Sequence, residues 1–120
     1  IGLRRSMNAF YKELFENIKG VFVFTEPNEH LFSNHWLSCI VINNDAPFTK
    51  EDLFNKMLEA NIETRPLWKP MHLQPVFKTA AYYGEKVSET LFTNGLCLPS
   101  GSNLTQKERD RISQVINSLK

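Results

Sequence analysis

Three prolines within ten residues place the strongest constraint on how this chain can fold. They lie in the stretch 65–77, which reads RPLWKPMHLQPVF. Proline lacks the backbone N–H that helices and sheets use, and its ring fixes φ, so regular structure cannot run through this segment. The segment nevertheless carries four side chains suited to ligand contacts, namely Arg65, Trp68, His72 and Gln74. Interacting side chains concentrated on irregular backbone indicate a binding site.

The composition predicts one compact domain, because 42% of the 120 residues are hydrophobic. Its 14 basic and 13 acidic residues are interspersed and leave a formal charge of +1, without the basic patch that a nucleic-acid binder needs. No apolar run approaches the ~18 residues of a membrane span, and no signal-peptide pattern opens the chain. We therefore expect a soluble cytoplasmic protein with no nucleic-acid or membrane partner. The start at Ile1, without methionine, suggests a piece of a longer protein.

The two cysteines, Cys39 and Cys97, lie in apolar sequence with no further cysteine or histidine at metal-ligand spacing. Two buried thiols in a reducing compartment are therefore favoured over a disulfide or a zinc site. Signatures of stand-alone catalysis are also missing, since the chain contains no phosphate-binding glycine loop, GxSxG motif or HExxH motif. We assign no catalytic residue and no metal site.

Hydrophobic spacing predicts four helices. The first covers Arg4–Lys19 and stops at Gly20, and the second opens with a capping box at Thr49 and ends near Asn61. A third helix is predicted over 83–93 with Val87 and Leu91 facing inward. The fourth opens with a capping box at 105–108 and continues to the chain end.

Short apolar runs predict strands at 21–24, 36–42, 62–65 and 96–98. The run 36–42 is almost continuously apolar, which predicts a central strand covered on both faces. Helices and strands alternate along the chain, which favours an α/β (α+β) sandwich, a small sheet with helices over one face.

A second group of candidate ligand contacts comes just before the predicted central strand, where loops often line sites. It consists of Ser33, Asn34, His35 and Trp36. The alternative for this group is a strand entry in which Trp36 packs inward and the polar residues cap the turn. The alternative for 65–77 is a surface crossover that seals the core while Arg65 pairs with a surface acid. We interpret His30 as solvated, and Arg4, Arg5 and the cluster Lys107, Arg109, Arg111 as solvated helix faces.

The order of these pieces resembles the C-terminal part of the DegT/DnrJ/EryC1/StrS family of aminotransferases. The chain has an Arg-Arg helix with Tyr11, then SNHWL at 33–37, TKEDL at 49–53, ETRPLWKPMHLQP at 63–75 and GLCLPSGSNL at 95–104. The resemblance covers nearly all of the chain. The parts of the sequence most specific to this family are the proline-rich run at 63–75 and the LPSG sequence at 98–101.

This resemblance implies the small C-terminal domain of the fold-type-I, aspartate-aminotransferase-like architecture, with a short, mainly antiparallel sheet. Residues 1–19 would be the end of the interdomain helix and 20–120 the small domain. It also implies a homodimer whose missing large domain holds pyridoxal 5'-phosphate through a lysine. Glutamate and a nucleotide-linked keto sugar would be the substrates. By similarity, the residues assigned to the sugar-nucleotide pocket are His72, Arg65, Trp68, Gln74, Ser33 and Asn34.

The sequence ETRPLWKPMH at 63–72 most resembles that of enzymes that aminate C4 of UDP-linked 4-keto-6-deoxy-N-acetylhexosamines, as in bacillosamine synthesis. The alternative is a free-standing, non-catalytic α/β module that binds a nucleotide sugar or a protein through the same proline-rich segment. For the enzyme we expect an exposed apolar surface that includes Phe10, Phe15 and Trp68, where the large domain and the partner subunit would sit.

Overall fold

The apolar, β-branched run ending at Ile42 forms the strand on which the sheet is built. In the computed structural model, which describes residues 1–120, four strands pair in the order β1-β2-β4-β3, all antiparallel. They are β1 (Val21–Val23), β2 (Ser38–Ile42), β3 (Arg65–Pro66) and β4 (Gly95–Leu98). The predicted α/β class and the central position of β2 are thus confirmed.

The two faces of the sheet differ, contrary to the prediction that β2 is covered on both. Along β2, Ser38, Ile40 and Ile42 are buried, whereas Cys39 and Val41 are half-buried. Alternating side chains point to opposite faces, and Phe22, the register partner of Val41, is 60% exposed. The second face is therefore apolar and partly open, and the run looked continuous because both faces carry apolar residues.

The four helices are α1 (Gly2–Phe15), α2 (Lys50–Glu59), α3 (Val87–Asn94) and α4 (Gln106–Asn117). Both predicted capping boxes are present, at Thr49–Asp52 and Thr105–Glu108. The third helix is shorter than predicted, and Val87 is 64% exposed instead of facing inward, while Leu91 is half-buried. None of the helices combines the length and apolar character needed to cross a lipid bilayer.

The first helix ends four residues earlier than predicted. It stops at Phe15, and the chain turns through Gly20, whose φ is +77°, into β1. The backbone N–H of Asn43 donates to the carbonyl of Gly20 at 2.8 Å, which ties this turn to the end of β2. Strand pairing therefore overrides the helical pattern of 16–19.

The core lies between α1, α2, α4 and one face of the sheet. It is a single cluster of buried hydrophobic residues that includes Tyr11 of α1, Met57 of α2, Ile116 of α4, Ile40 of β2 and Leu96 of β4. Phe15 is buried in it and Phe10 packs against it, so neither forms the exposed apolar surface we expected. Trp68 does, with 67% of its surface exposed.

The turn at Gly20 yields a test of the fold. A Cβ added there would lie 2.6 Å from the backbone nitrogen of Ala46, and positive φ is unfavourable for alanine. We expect Gly20→Ala to lower the free energy of unfolding by at least about 1–2 kcal/mol in urea titrations. Gly2→Ala is the control, because a Cβ at Gly2 meets nothing within 4 Å. Equal effects of the two substitutions would contradict this account of the turn.

Candidate functional site

The sheet brings the two predicted groups of ligand contacts together. Trp36 precedes β2 and Trp68 follows β3, and both side chains are mostly exposed. Their ring centroids lie 6.4 Å apart with the planes tilted by 39°. Two adjacent indoles on the surface provide a broad aromatic area for a flat or ring-shaped ligand. The alternative in which Trp36 packs inward is therefore wrong.

A cleft of about 590 Å³ opens between the β3–β4 edge and the first turns of α4. Arg65 and Trp68 line it, as does the loop 99–104 that contains the end of the LPSG sequence. Arg65 sits here because β3 pairs with β4, with Cys97 as its register partner. Two of the six residues assigned to a substrate pocket are thus part of one cavity.

The cleft contains charges of both signs. Arg65 donates through Nε to Glu63 Oε1 at 2.8 Å, and both side chains are more than two-thirds exposed. The alternative pairing of Arg65 with a surface acid is thus present, but an ion pair this exposed is weak enough for a ligand to replace. Across the cleft, Arg111 donates to the carbonyl of Ala60. Two guanidinium groups beside an indole suit a ligand with phosphate or carboxylate groups and a ring.

Sequence reasoning missed two cleft residues, Thr64 and Arg111. The hydroxyl of Thr64 is buried without a hydrogen-bond partner, so it has a free donor and acceptor at the cleft. Thr64 belongs to the ETRP stretch at 63–66, and its place in the proline-rich motif could have identified it as a candidate site residue. Arg111 had no local signal, because it lies within an amphipathic helix and approaches the cleft only through tertiary packing.

His72 and Gln74 do not line this cleft. His72 Nε2 lies 3.1 Å from Glu89 Oε1, and its ring stacks on Tyr82 with centroids 3.7 Å apart. Gln74 donates weakly to the carbonyl of Lys69 at 3.4 Å, within its own segment. The segment forms two short 3-10 turns, Met71–Leu73 and Pro75–Phe77, as expected for proline-punctuated backbone. His72 is thus held against α3, and its substrate role stays a prediction.

Ser33 and Asn34 shape the turn that leads to Trp36. The Ser33 hydroxyl accepts from the backbone N–H of His35 at 3.0 Å, and Asn34 Oδ1 accepts from that of Trp36 at 2.9 Å. Such side-chain bonds to the backbone two residues on are typical of turns. His35 is buried with φ +46°. The polar residues therefore cap the turn, as the strand-entry alternative proposed, while Trp36 stays outside.

A partly buried ion network below this turn was not predicted. Arg5 donates to Glu26 Oε1 and to the carbonyl of Ser33, both at 2.5 Å. His35 Nε2 lies 3.2 Å from Glu26 Oε2. The guanidinium of Arg5 also lies 4.4 Å from the centre of the Phe32 ring. The hydrogen bond from Arg5, with those from backbone N–H groups, lowers the pKa of Glu26 from 4.5 to about 2.

The predicted solvation of the arginine pair on α1 is therefore wrong. Arg4 donates to the carbonyls of Trp36, at 2.5 Å, and Ser100, at 3.1 Å, and so joins the turn to the cleft loop. Tyr11 supports the same loop, because its hydroxyl donates to the carbonyl of Pro99 at 2.8 Å. Burial raises the pKa of Tyr11 above its ordinary value, which keeps the hydroxyl protonated.

The cluster on α4 is solvated only in part. Lys107 and Arg111 are exposed as predicted, and Arg111 also lines the cleft. Arg109 is half-buried, with Nε lacking a partner and a guanidinium nitrogen 3.4 Å from the Ser6 hydroxyl on α1. Periodicity alone could not show that α1 covers this side of α4.

The cleft does not suit the cofactor that the resemblance implies. No lysine lines it, and pyridoxal phosphate needs a lysine for covalent attachment. No group of three or more His, Cys, Asp or Glu side chains is placed to hold a metal ion either. The arrangement suits binding of a polar, ring-containing ligand.

Comparison with protein families finds a match over residues 1–119 to the DegT/DnrJ/EryC1/StrS aminotransferase family. Among curated proteins, EpsN of Bacillus subtilis (strain 168), which carries the name of a pyridoxal phosphate-dependent aminotransferase, is 39% identical over 97% of this chain and 30% of its own length. The GDP-perosamine synthase of Caulobacter vibrioides is 26% identical over 79% of this chain and 26% of its own.

Comparison with solved structures finds the same fold. A DegT DnrJ EryC1 StrS aminotransferase from Brucella abortus matches with a TM-score of 0.78 and 26% identity, over 98% of this chain and 30% of that one. The chain thus spans about 30% of the length of the relatives it matches.

The low pKa of Glu26 predicts an acid-sensitive turn. Because the folded state favours the carboxylate, its stabilisation is complete above pH 4.5 and is lost as the pH falls towards about 2. We expect Glu26→Gln to lower the free energy of unfolding at pH 6, with the deficit relative to wild type shrinking between pH 4.5 and 2. Glu29→Gln, at an exposed neighbour, is the control. A deficit independent of pH would contradict the assignment.

Proposed function

Because the chain belongs to the DegT/DnrJ/EryC1/StrS aminotransferase family, we propose that it is the C-terminal small domain of a pyridoxal phosphate-dependent sugar aminotransferase. The full enzyme transfers an amino group from glutamate to the keto group of a nucleotide-linked sugar. The observation that carries the proposal is the family match over residues 1–119, together with 39% identity to EpsN. Within it, residues 1–19 are the end of the interdomain helix and 20–120 the small domain.

We propose a UDP-linked 4-keto-6-deoxy-N-acetylhexosamine, aminated at C4, as the sugar substrate. The amino-acid sequence of the 63–75 motif, which most resembles that of enzymes with this activity, supports this choice. The name of the Caulobacter relative indicates a GDP-linked amino sugar for that protein, so the nucleotide is the part of the substrate to test. Kinetics with UDP-, dTDP- and GDP-linked 4-keto sugars, with glutamate as donor, decide between them.

The cleft residues suggest how this chain contributes to binding. Arg65 is on an exposed edge strand and can exchange Glu63 for a phosphate of the nucleotide, because both groups remain hydrated until the ligand arrives. A guanidinium binds phosphate through two parallel hydrogen bonds, which also fixes orientation. Trp68, with Trp36 beside it, offers its face to the sugar or base ring.

The other assigned residues contribute in different ways. Ser33 and Asn34 hold the turn that presents Trp36, and Gln74 braces the proline-rich segment. His72 has Nε2 engaged with Glu89, while no hydrogen bond within the chain involves Nδ1. We propose that His72 reaches the sugar through Nδ1, at a point of the pocket completed by other parts of the enzyme.

The remaining parts of the proposal rest on the resemblance. The cofactor is held by the large domain. The enzyme is a cytoplasmic homodimer with the active site at the subunit interface. Analytical ultracentrifugation of the full-length protein tests the dimer directly.

Replacing Arg65 tests the phosphate contact. In the full-length enzyme we expect Arg65→Gln to raise KM for the nucleotide sugar about ten- to hundredfold, because one hydrogen bond to a charged group is lost. KM for glutamate should be unchanged. Lys107→Gln removes an exposed positive charge from α4 and is the control. Unchanged KM in Arg65→Gln would exclude the contact. Binding of the sugar without any transamination by the wild type would favour the non-catalytic module.

Replacing His72 tests its separate role. We expect His72→Ala to reduce turnover of the nucleotide sugar more than it reduces cofactor binding, measured by the absorbance of the bound cofactor. Glu89→Gln removes the Nε2 partner and should have a smaller effect, since it leaves the imidazole in place. If His72→Ala and Glu89→Gln cause the same loss of thermal stability with unchanged kinetics, His72 serves only to hold the segment against α3.

A further inference from the structure

Two cysteines that are 58 positions apart in the sequence meet on neighbouring strands of the sheet. Cys39 of β2 and Cys97 of β4 are register partners, and their sulfur atoms lie 3.7 Å apart. The sequence favoured two buried thiols, and both cysteines are free thiols in the structure. Strand pairing places them side by side, and neither is among the residues assigned to binding of the sugar nucleotide.

The backbone at this pair suits a disulfide. Directly opposite residues of an antiparallel pair have Cα atoms about 4.5–5.5 Å apart. That range lies within the roughly 4.4–6.8 Å found across disulfides. The sulfurs need to approach by only about 1.7 Å to reach bonding distance, which rotation of the side chains can provide.

The two thiols are not equivalent. A hydrogen bond between them lowers the pKa of Cys97 and raises that of Cys39. Cys97 lines the cleft, although only 7% of its surface is exposed, and Cys39 is half-buried beside it. The thiolate is the reactive form of cysteine. Cys97 therefore has the properties of the attacking sulfur, and Cys39 those of the resolving sulfur.

We propose that Cys39 and Cys97 form a reversible thiol–disulfide site that reacts with small-molecule disulfides such as oxidised glutathione. The Cys97 thiolate attacks one glutathione sulfur, forms a mixed disulfide and releases one glutathione thiolate. Cys39 then loses its proton and attacks the Cys97 sulfur, which releases the second glutathione. One disulfide is reduced and one is formed, so two protein thiols yield two molecules of reduced glutathione.

The bond would join the central strand to the strand that lines the cleft. It would close a long loop of the chain, which restricts the unfolded state and so stabilises the folded one. It would also remove a reactive sulfur from the wall of the cleft. These effects concern the sheet itself and do not depend on the proposed function.

Mass spectrometry of the digested protein tests the proposal. The full-length protein is equilibrated in mixtures of reduced and oxidised glutathione, quenched with acid and digested, so that the peptides containing Cys39 and Cys97 are observed. We expect these two peptides to become linked, with the loss of two hydrogen masses and no retained glutathione. The midpoint of thermal unfolding should rise by several degrees and return after dithiothreitol. Peptides that stay reduced under the most oxidising mixture, or links between two protein molecules, would overturn the proposal.

Single substitutions test the order of attack. Cys39→Ser should accumulate a glutathione adduct on Cys97, because the resolving sulfur is gone. Cys97→Ser should form an adduct on Cys39 several-fold more slowly, since that thiol is the less acidic. Equal rates would exclude the assigned roles, and stable adducts on both cysteines of the wild type would exclude the internal bond. If circular dichroism shows that a serine variant is unfolded, Cys39→Ala or Cys97→Ala replaces it. The linkage of the two peptides in the wild type tests the internal disulfide independently of all four variants.

Discussion

The pairing of β2 with β4 is the constraint on which the rest of this structure depends. It joins 38–41 to 95–98, segments separated by more than fifty residues. On one face the pairing aligns Ile40 with Leu96 in the core, where both are fully buried. On the other it places Cys39 beside Cys97 and offers β4 an outer edge, on which β3 carries Arg65 to the cleft. Core, cleft and thiol pair are thus three consequences of one register.

The first helix holds the irregular parts of the site in place. Its buried stripe anchors it to the core, and the polar groups at its first turns bond to backbone that has no secondary structure of its own. Arg4 bridges the Trp36 turn and the loop at Ser100, while Arg5 and Glu26 form the ion network below the turn. Loops without regular backbone pairing need such side-chain partners for their carbonyls. A helix that connects two domains in the proposed enzyme would therefore also set the shape of the binding surface.

The residues assigned to the site fall into two groups, those exposed for contact with a ligand and those that support the local backbone. Arg65, Trp68 and Trp36 are exposed and lightly bound, whereas Ser33, Asn34 and Gln74 are engaged within the chain. A binding surface needs both kinds, because contact groups bind precisely only when their supports are rigid. The open apolar face around Phe22 and the exposed indoles form apolar surface of the kind that marks interaction sites.

The sequence by itself determined the local features: both capping boxes, the strand at 38–42, the irregular proline-rich segment and the family, because these depend on residues close in the chain. The tertiary structure decided whatever depends on distant residues. It ended α1 at Phe15, since β1 had to pair with β2, and it turned Arg4, Arg5 and Arg111 towards backbone carbonyls. It separated His72 from Arg65 and joined the two cysteines. Periodicity shows which face of an element is apolar, but not which partner will cover it.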